Sequence, residues 1–200
     1  MWGTAGTDRR VLRTREAIRD AMIDLIEERG FEAISIKDIA DRANINRGTF
    51  YLHFHDKYDL LDQTEKEIIE NLREILKDAG GLNIDAYSQS DEPIPVMVSL
   101  FVYIKEQSRL MHAILGLKAN PNFQNRVKTA IEKNIFDWGI FTQKKMADLL
   151  VPGEYLVAYV AAAHMGVMQA WLERGCRESP EQMARILACM SFHGPFHAFK

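Results

Sequence analysis

The chain has 200 residues, 47% of them hydrophobic and 26% charged, with a formal net charge of −3. That composition excludes a wholly disordered chain and a protein that coats nucleic acid by global basicity. The length allows one or two domains with a core that needs no disulfide or metal staple. The two cysteines, Cys176 and Cys189, exclude a disulfide framework and fit ordinary buried or half-buried thiols, so a reducing, cytoplasmic location is expected. The N-terminal stretch lacks the apolar run of a signal peptide. The longest apolar run, Tyr155 to Met168, is shorter than the ~20 residues of a membrane span and is expected to be a buried helix.

Taken in chain order, the apolar residues Ile18, Ala21, Met22, Leu25 and Ile26 follow the i, i+3, i+4, i+7 rhythm of one helix face. The spacing predicts a first helix from about residue 9 to 29, stopped by Gly30. A short helix is expected over about 35–42, capped by Ser35 with Asp38 as its reciprocal partner. Another is expected over about 46–53 behind Asn46, after the turn Ala43-Asn44-Ile45. A fourth begins behind Asp56, carries Leu61, Ile68, Leu72 and Ile75 on one stripe, and runs to about Lys77. The Gly-, Asn-, Ser- and Pro-rich segment Asp78 to Pro95 reads as a linker with turns. Helices follow near 95–107, 108–118, 121–149, 154–174 and 180–191. The expected fold is all-α with about nine helices. Residues 1–60 would form one domain, 56–77 a connecting helix and 78–200 a second helical domain.

Two short helices joined by a three-residue turn, behind a longer one, make a helix-turn-helix. Ile36 and Ile39 are expected to bury the first short helix, Ile45 to plug the turn, and Phe50 and Phe54 to bury the second. Asn46, Arg47, Thr49, Tyr51 and His53 are then left exposed. No acid occurs between Arg42 and His55, while Arg9, Arg10, Arg13, Arg15 and Lys57 lie around this stretch. Such a distribution suits phosphate contacts on either side of a groove-reading helix. Against it, residues 1–60 hold 10 Lys and Arg but 11 Asp and Glu, so the segment as a whole is not basic.

The stretch Ser35-Ile-Lys-Asp-Ile-Ala-Asp-Arg-Ala, then Asn46-Arg-Gly-Thr-Phe-Tyr-Leu-His-Phe, then Asp56-Lys-Tyr-Asp-Leu-Leu61, strongly resembles the DNA-binding domain of the TetR family of transcriptional regulators. The resemblance covers residues 10 to 61. Asn44 stands where the family usually has Gly, and Asn tolerates the left-handed conformation the turn needs. The resemblance implies a homodimeric, double-stranded-DNA-binding regulator, most often a repressor released by a small molecule. Thr49, Tyr51, His53 and Lys57 match family residues that touch DNA, and Lys37 matches a position that often reaches the groove or backbone. Arg47 is expected to read a base, since a guanidinium can bond guanine at two points. The expected DNA surface is therefore Lys37, Asn46, Arg47, Gly48, Thr49, Tyr51, His53 and Lys57, on a pseudo-palindromic operator.

The C-terminal half is less specific, although Phe101 to Leu115 looks like a C-terminal domain of one branch of these regulators. The Ala-rich helix Tyr155 to Arg174 is apolar nearly all round, so a partner is expected to cover it. A two-fold dimer is assigned to Ala158, Ala162 and Gly166, with Met183, Leu187 and Met190 of the last helix. Met97, Phe101, Met111 and His112 are candidates for an effector pocket. So are Trp138, Phe141, Met165, Met168 and Trp171, since Met and aromatic side chains line adaptable apolar cavities. Few ionisable residues lie among them, which favours an apolar or aromatic effector. His193 and His197 have a metal-ligand spacing, but Gly194 and Pro195 between them argue against a shared helix face. No metal, cofactor or catalytic residue is expected, and no enzyme motif is present. Two alternatives remain for the second domain: binding a partner protein in place of a small molecule, or an enzymatic activity.

Overall fold

The structure is a computed structural model that describes residues 4–77, 87, 92–115, 121–137 and 149–194. It is all-α. The first helices are α1 (Thr4–Arg29), α2 (Ile36–Arg42), α3 (Arg47–Tyr51) and α4 (Lys57–Lys77), with a single 3-10 turn, Phe31–Ala33, between α1 and α2. The later ones are α5 (Pro95–Glu106), α6 (Ser108–Leu115), α7 (Pro121–Asp137), α8 (Gly153–Glu173) and α9 (Pro180–His193). The chain divides into two compact units, Met1–Ile68 and Ile69–Lys200, and the division falls inside α4. The first turns of α4 belong with α1 because Leu60, Leu61, Thr64 and Ile68 are buried there. Arg15 also donates to Gln63 at 2.8 Å, and Arg19 pairs with Glu67 at 3.6 Å.

In the first unit, Ile18, Met22, Leu25, Ile39, Ala40, Phe50 and Leu60 are almost wholly buried and form the core on which the two short helices sit. The capping box of α2 is complete: the Ser35 hydroxyl accepts from the Asp38 amide, and Asp38 accepts from the Ser35 amide. The α2 terminus is a Schellman turn, with the Ile45 amide bonded to the Ala40 carbonyl and the Asn44 amide to Asp41. Asn44 adopts the expected left-handed conformation at φ 53. One expectation is corrected. Helix α1 starts at Thr4, not near residue 9, so the arginines at 9 and 10 ride on a helix. Helical periodicity could not find this start, because the sequence Thr4-Ala-Gly-Thr-Asp8 has no repeating apolar residues.

In the second unit, α5 packs on α9, and α8 packs on α6, α7 and α9. The ring of Phe101 meets that of Trp171 edge on, with centroids 5.2 Å apart. Amides of Gln124 and Gln169 both donate to the Leu115 carbonyl, tying the end of α6 to α7 and α8. Residues 116–120, most of the expected linker, and the segment 138–148 with Trp138 and Phe141 lie outside the described residues, as does His197. The described part of the predicted 121–149 helix ends at Asp137. Helix α8 has the length and composition of a membrane span and is buried only in part, contrary to the expected buried helix: Val157, Ala161, Met165, Met168 and Trp171 pack inward, while Tyr155, Tyr159, Ala162 and Gly166 are exposed. It ends in a second Schellman turn, where Cys176 takes a left-handed φ of 51 with its thiol buried.

Candidate nucleic-acid interface

Helix α3 is only five residues long and depends on its cap. Asn46 Oδ1 accepts the Thr49 amide at 2.7 Å and the Thr49 hydroxyl at 3.1 Å. Gly48 leaves room for that cap, because a Cβ there would stand 3.1 Å from Asn46 Oδ1. Phe50 and, just beyond the helix, Phe54 anchor this segment in the core. With those two turned inward, Arg47 and Tyr51 face outward, and Tyr51 is 56% exposed. Leu52, missing from the sequence reading, is 82% exposed at the end of the helix. Its displacement from the Phe50–Phe54 stripe was the signal that could have found it.

His53 is half-buried. Desolvation, with the Arg15 charge as a smaller cause, holds its pKa below the usual histidine value. It is therefore a neutral ring at neutral pH. Arg15 does not present the free cation expected of it. Its guanidinium donates to Gln63 and lies 4.6 Å from the centroid of the Phe54 ring. Lys57 departs from expectation more sharply. Its Nζ donates to the carbonyls of Phe31, Glu32 and Ile34 at 3.0, 3.1 and 3.0 Å, and its side chain is 14% exposed.

The charge arithmetic of the first unit resolves once partners are assigned. Arg42 pairs with Asp24 and Glu28, Arg29 with Asp38, Arg19 with Glu67 and Lys66 with Asp62. Among the described residues of this unit, Arg9, Arg10, Arg13, Lys37 and Arg47 are the cations without an ion pair or side-chain hydrogen bond. Three of them, Arg9, Arg10 and Arg13, line an open groove of about 430 Å³ with Thr14, Ala17 and Ile45. Ile45 immediately precedes the cap of α3. The groove therefore sets three free guanidiniums beside the start of the short helix. Asp24, Glu28, Asp38, Asp62 and Glu67 pair with the other cations of the unit, and the five cations left without a partner suit a phosphate backbone.

Residues 18–64 match the family described as bacterial regulatory proteins, tetR family, and residues 91–192 match a transcriptional regulator C-terminal region. The chain belongs to the TetR family of transcriptional regulators. It is 26% identical to the uncharacterised HTH-type regulator YxbF of Bacillus subtilis, over 89% of this chain and 44% of that one. It is 28% identical to the dhaKLM operon transcriptional activator DhaS of Lactococcus lactis, over 81% of each. The structure of SmeT, a repressor of the Stenotrophomonas maltophilia efflux pump SmeDEF, superposes with a TM-score of 0.62. That match has 18% identity and covers 90% of this chain and 88% of that one. The chain spans about half the length of several curated relatives it matches. As a TetR-family chain, it has its DNA-binding helix-turn-helix in α2 and α3.

The second unit exposes a stripe on α8: Tyr155 and Tyr159, at 67% and 59%, then Ala162 and Gly166. Ile186 of α9 is also exposed. Of the residues expected at a dimer interface, Ala162 and Gly166 are exposed while Ala158 and Met190 are half-buried. Met183 and Leu187 are corrected: both are buried in their own unit, at 4% and 2% exposure, because α9 turns that face toward α5. Of the expected pocket residues, Met97, Phe101, Met111, Met165, Met168 and Trp171 are buried. His112 is corrected as well. It lies on the surface with its imidazole 3.5 Å from the Glu173 carboxylate.

Proposed function

We propose that this protein acts as a homodimeric repressor that leaves its operator when a small apolar or aromatic molecule binds the second unit. The observation that carries the DNA half of this reading is the set of five free cations around α3. Arg9, Arg10 and Arg13 hold the phosphate backbone beside the helix, and Lys37 adds a contact from α2. Arg47 reads a guanine edge, while Tyr51 and Thr49 reach the backbone or base edges. Leu52 offers an apolar contact to a thymine methyl group. Gly48 and Asn46 shape the helix and its cap, and His53 adds a neutral ring at its end.

Dimerisation is supported by the exposed apolar stripe Tyr155, Tyr159, Ala162 and Gly166. Its spacings of 4, 3 and 4 residues keep it on one side of α8. A two-fold pair of such stripes would bring two α3 helices to successive major grooves, about 34–36 Å apart. Effector release requires a molecule that binds the two arrangements unequally. The buried Met97, Phe101, Met111, Met165, Met168 and Trp171 are the residues around which such a site would open. DhaS is named an activator, and the sign of regulation is read from transcription once the operator is known.

The deciding experiment is recovery of fragments from the source genome on the purified protein, followed by sequencing. A shared pseudo-palindrome, with transcription downstream rising when the protein is removed, is the expected result. Retained fragments with no common sequence would sink the operator, and falling transcription would turn the repressor into an activator.

A further inference from the structure

We infer that Lys57 is a positioning residue that fastens the entry of the helix-turn-helix to the start of α4, and that it makes no contact with DNA. The inference rests on the DNA-binding reading above and concerns one of its residues. An ammonium has three N–H donors and no acceptor. At Lys57 three carbonyl oxygens, those of Phe31, Glu32 and Ile34, stand at 3.0, 3.1 and 3.0 Å from Nζ. Every donor of the group is used. The rings of Phe31 and Tyr58 flank the same nitrogen, with centroids at 4.8 and 5.2 Å, and meet each other edge on. The Tyr58 hydroxyl donates to the Glu32 carboxylate at 3.2 Å and closes the outer side. A phosphate could reach this nitrogen only by displacing a carbonyl, which would lose a charge-assisted hydrogen bond to gain one.

The three carbonyls belong to the segment that runs from Gly30, at φ 78, through one 3-10 turn to Ser35, the cap of α2. That turn has a single long internal hydrogen bond, from the Ile34 amide to the Phe31 carbonyl at 3.5 Å. It does not hold itself. Lys57 gathers its carbonyls from 23 to 26 residues away and fixes where α2 begins relative to α4. Helix α3 lies between those two points in the chain, anchored by the burial of Phe50 and Phe54.

The test uses the full chain and a 30-base-pair duplex of mixed sequence, whose binding is driven by phosphates. Arg13→Ala serves as the reference for a lost phosphate contact and should shallow the slope of log K against log salt by about 0.9. For Lys57→Ala, affinity is expected to fall at least tenfold with the slope unchanged. Tens of millimolar propylammonium, the missing part of the side chain, should restore it where equal sodium does not. Lys57→Arg is expected to fail as Lys57→Ala does, because a planar fork cannot serve three carbonyls converging on one point. A slope shallower by about 0.9 in Lys57→Ala, or retained affinity in Lys57→Arg, overturns the inference.

Should both variants fail to fold, the parent protein decides. Its 15N-lysine spectrum should show one slowly exchanging ammonium that does not move when duplex is added, and movement of that signal overturns the inference. If the parent binds no duplex, the DNA reading fails, while the spectrum of the free protein still reports whether the ammonium is held.

Discussion

Asn46 holds Thr49 twice, through the backbone amide at 2.7 Å and the side-chain hydroxyl at 3.1 Å, both on one amide oxygen. A five-residue helix has almost no propensity of its own, so this cap and the burial of Phe50 keep α3 formed. An aspartate would preserve the acceptor but put an anion among the free cations. Asn46→Asp should therefore melt within a degree or two of the parent and bind duplex DNA at least tenfold more weakly. Asn46→Ala should lose ~1 kcal/mol of stability through the missing cap. Thermal unfolding and fluorescence anisotropy on both variants check this, and strong binding by Asn46→Asp would place the cap away from the DNA.

Tyr51 and Arg47 project from α3 into solvent. Truncating either to alanine should change stability by no more than ~0.5 kcal/mol, as for surface sites generally. Tyr51→Ala should weaken binding to all sequences. Arg47→Ala should instead relax preference at one base pair, a loss of ~1–3 kcal/mol there. Competition between operator and random duplex separates the two. If Arg47→Ala lost affinity equally for both, Arg47 would be a backbone contact.

These local features were legible in the sequence because each is decided within a few residues. Ser35 with Asp38, Asn46 with Thr49, and the left-handed Asn44 are short-range chemistry. The placement of Lys57 was not legible, since its partners lie 23 to 26 residues earlier and are carbonyls that no residue type marks. Nor was the orientation of α9. Met183, Leu187 and Ile186 look alike as apolar residues, and only the packing of α9 on α5 buries the first two and exposes the third. Apolarity identifies a helix that needs covering without saying whether the cover is the same subunit or another.

That distinction yields a paired prediction. Ala162→Arg places a charge on the exposed stripe, so the variant should fold and sediment as a monomer. Leu187→Arg places one in the core of the second unit and should unfold it, since an unpaired buried charge is strongly destabilising. Analytical ultracentrifugation and circular dichroism distinguish the outcomes. An Ala162→Arg protein that stays dimeric at low micromolar concentration would move the interface elsewhere.

The half-buried imidazole of His164 should make the second unit acid-sensitive. The Ser191 hydroxyl gives its proton to the Leu187 carbonyl at 2.7 Å, so its oxygen accepts from His164 Nε2 at 3.0 Å and the ring is the neutral Nε2–H form. Burial pushes its pKa down from 6.5 to about 4. Between those values the unfolded chain takes up a proton that the folded one refuses, so stability falls as pH drops through that window. Melting midpoints from pH 7 to 4.5 should fall more steeply for the parent than for His164→Gln. Parallel curves would mean that another group governs the acid response.

The lack of ion-pair partners at Arg9, Arg10, Arg13, Lys37 and Arg47 also governs how the protein should behave on a column. With a net charge of −3 and an isoelectric point near 6.1, the chain is retained by an anion exchanger at pH 8. The same molecules, turned the other way, should adhere to heparin, whose sulfates would meet the groove of Arg9, Arg10 and Arg13. Purification schemes that rank proteins by average charge would place it in one fraction. A sulfated matrix would find the face that the average conceals, and cellular nucleic acid would follow the protein into both.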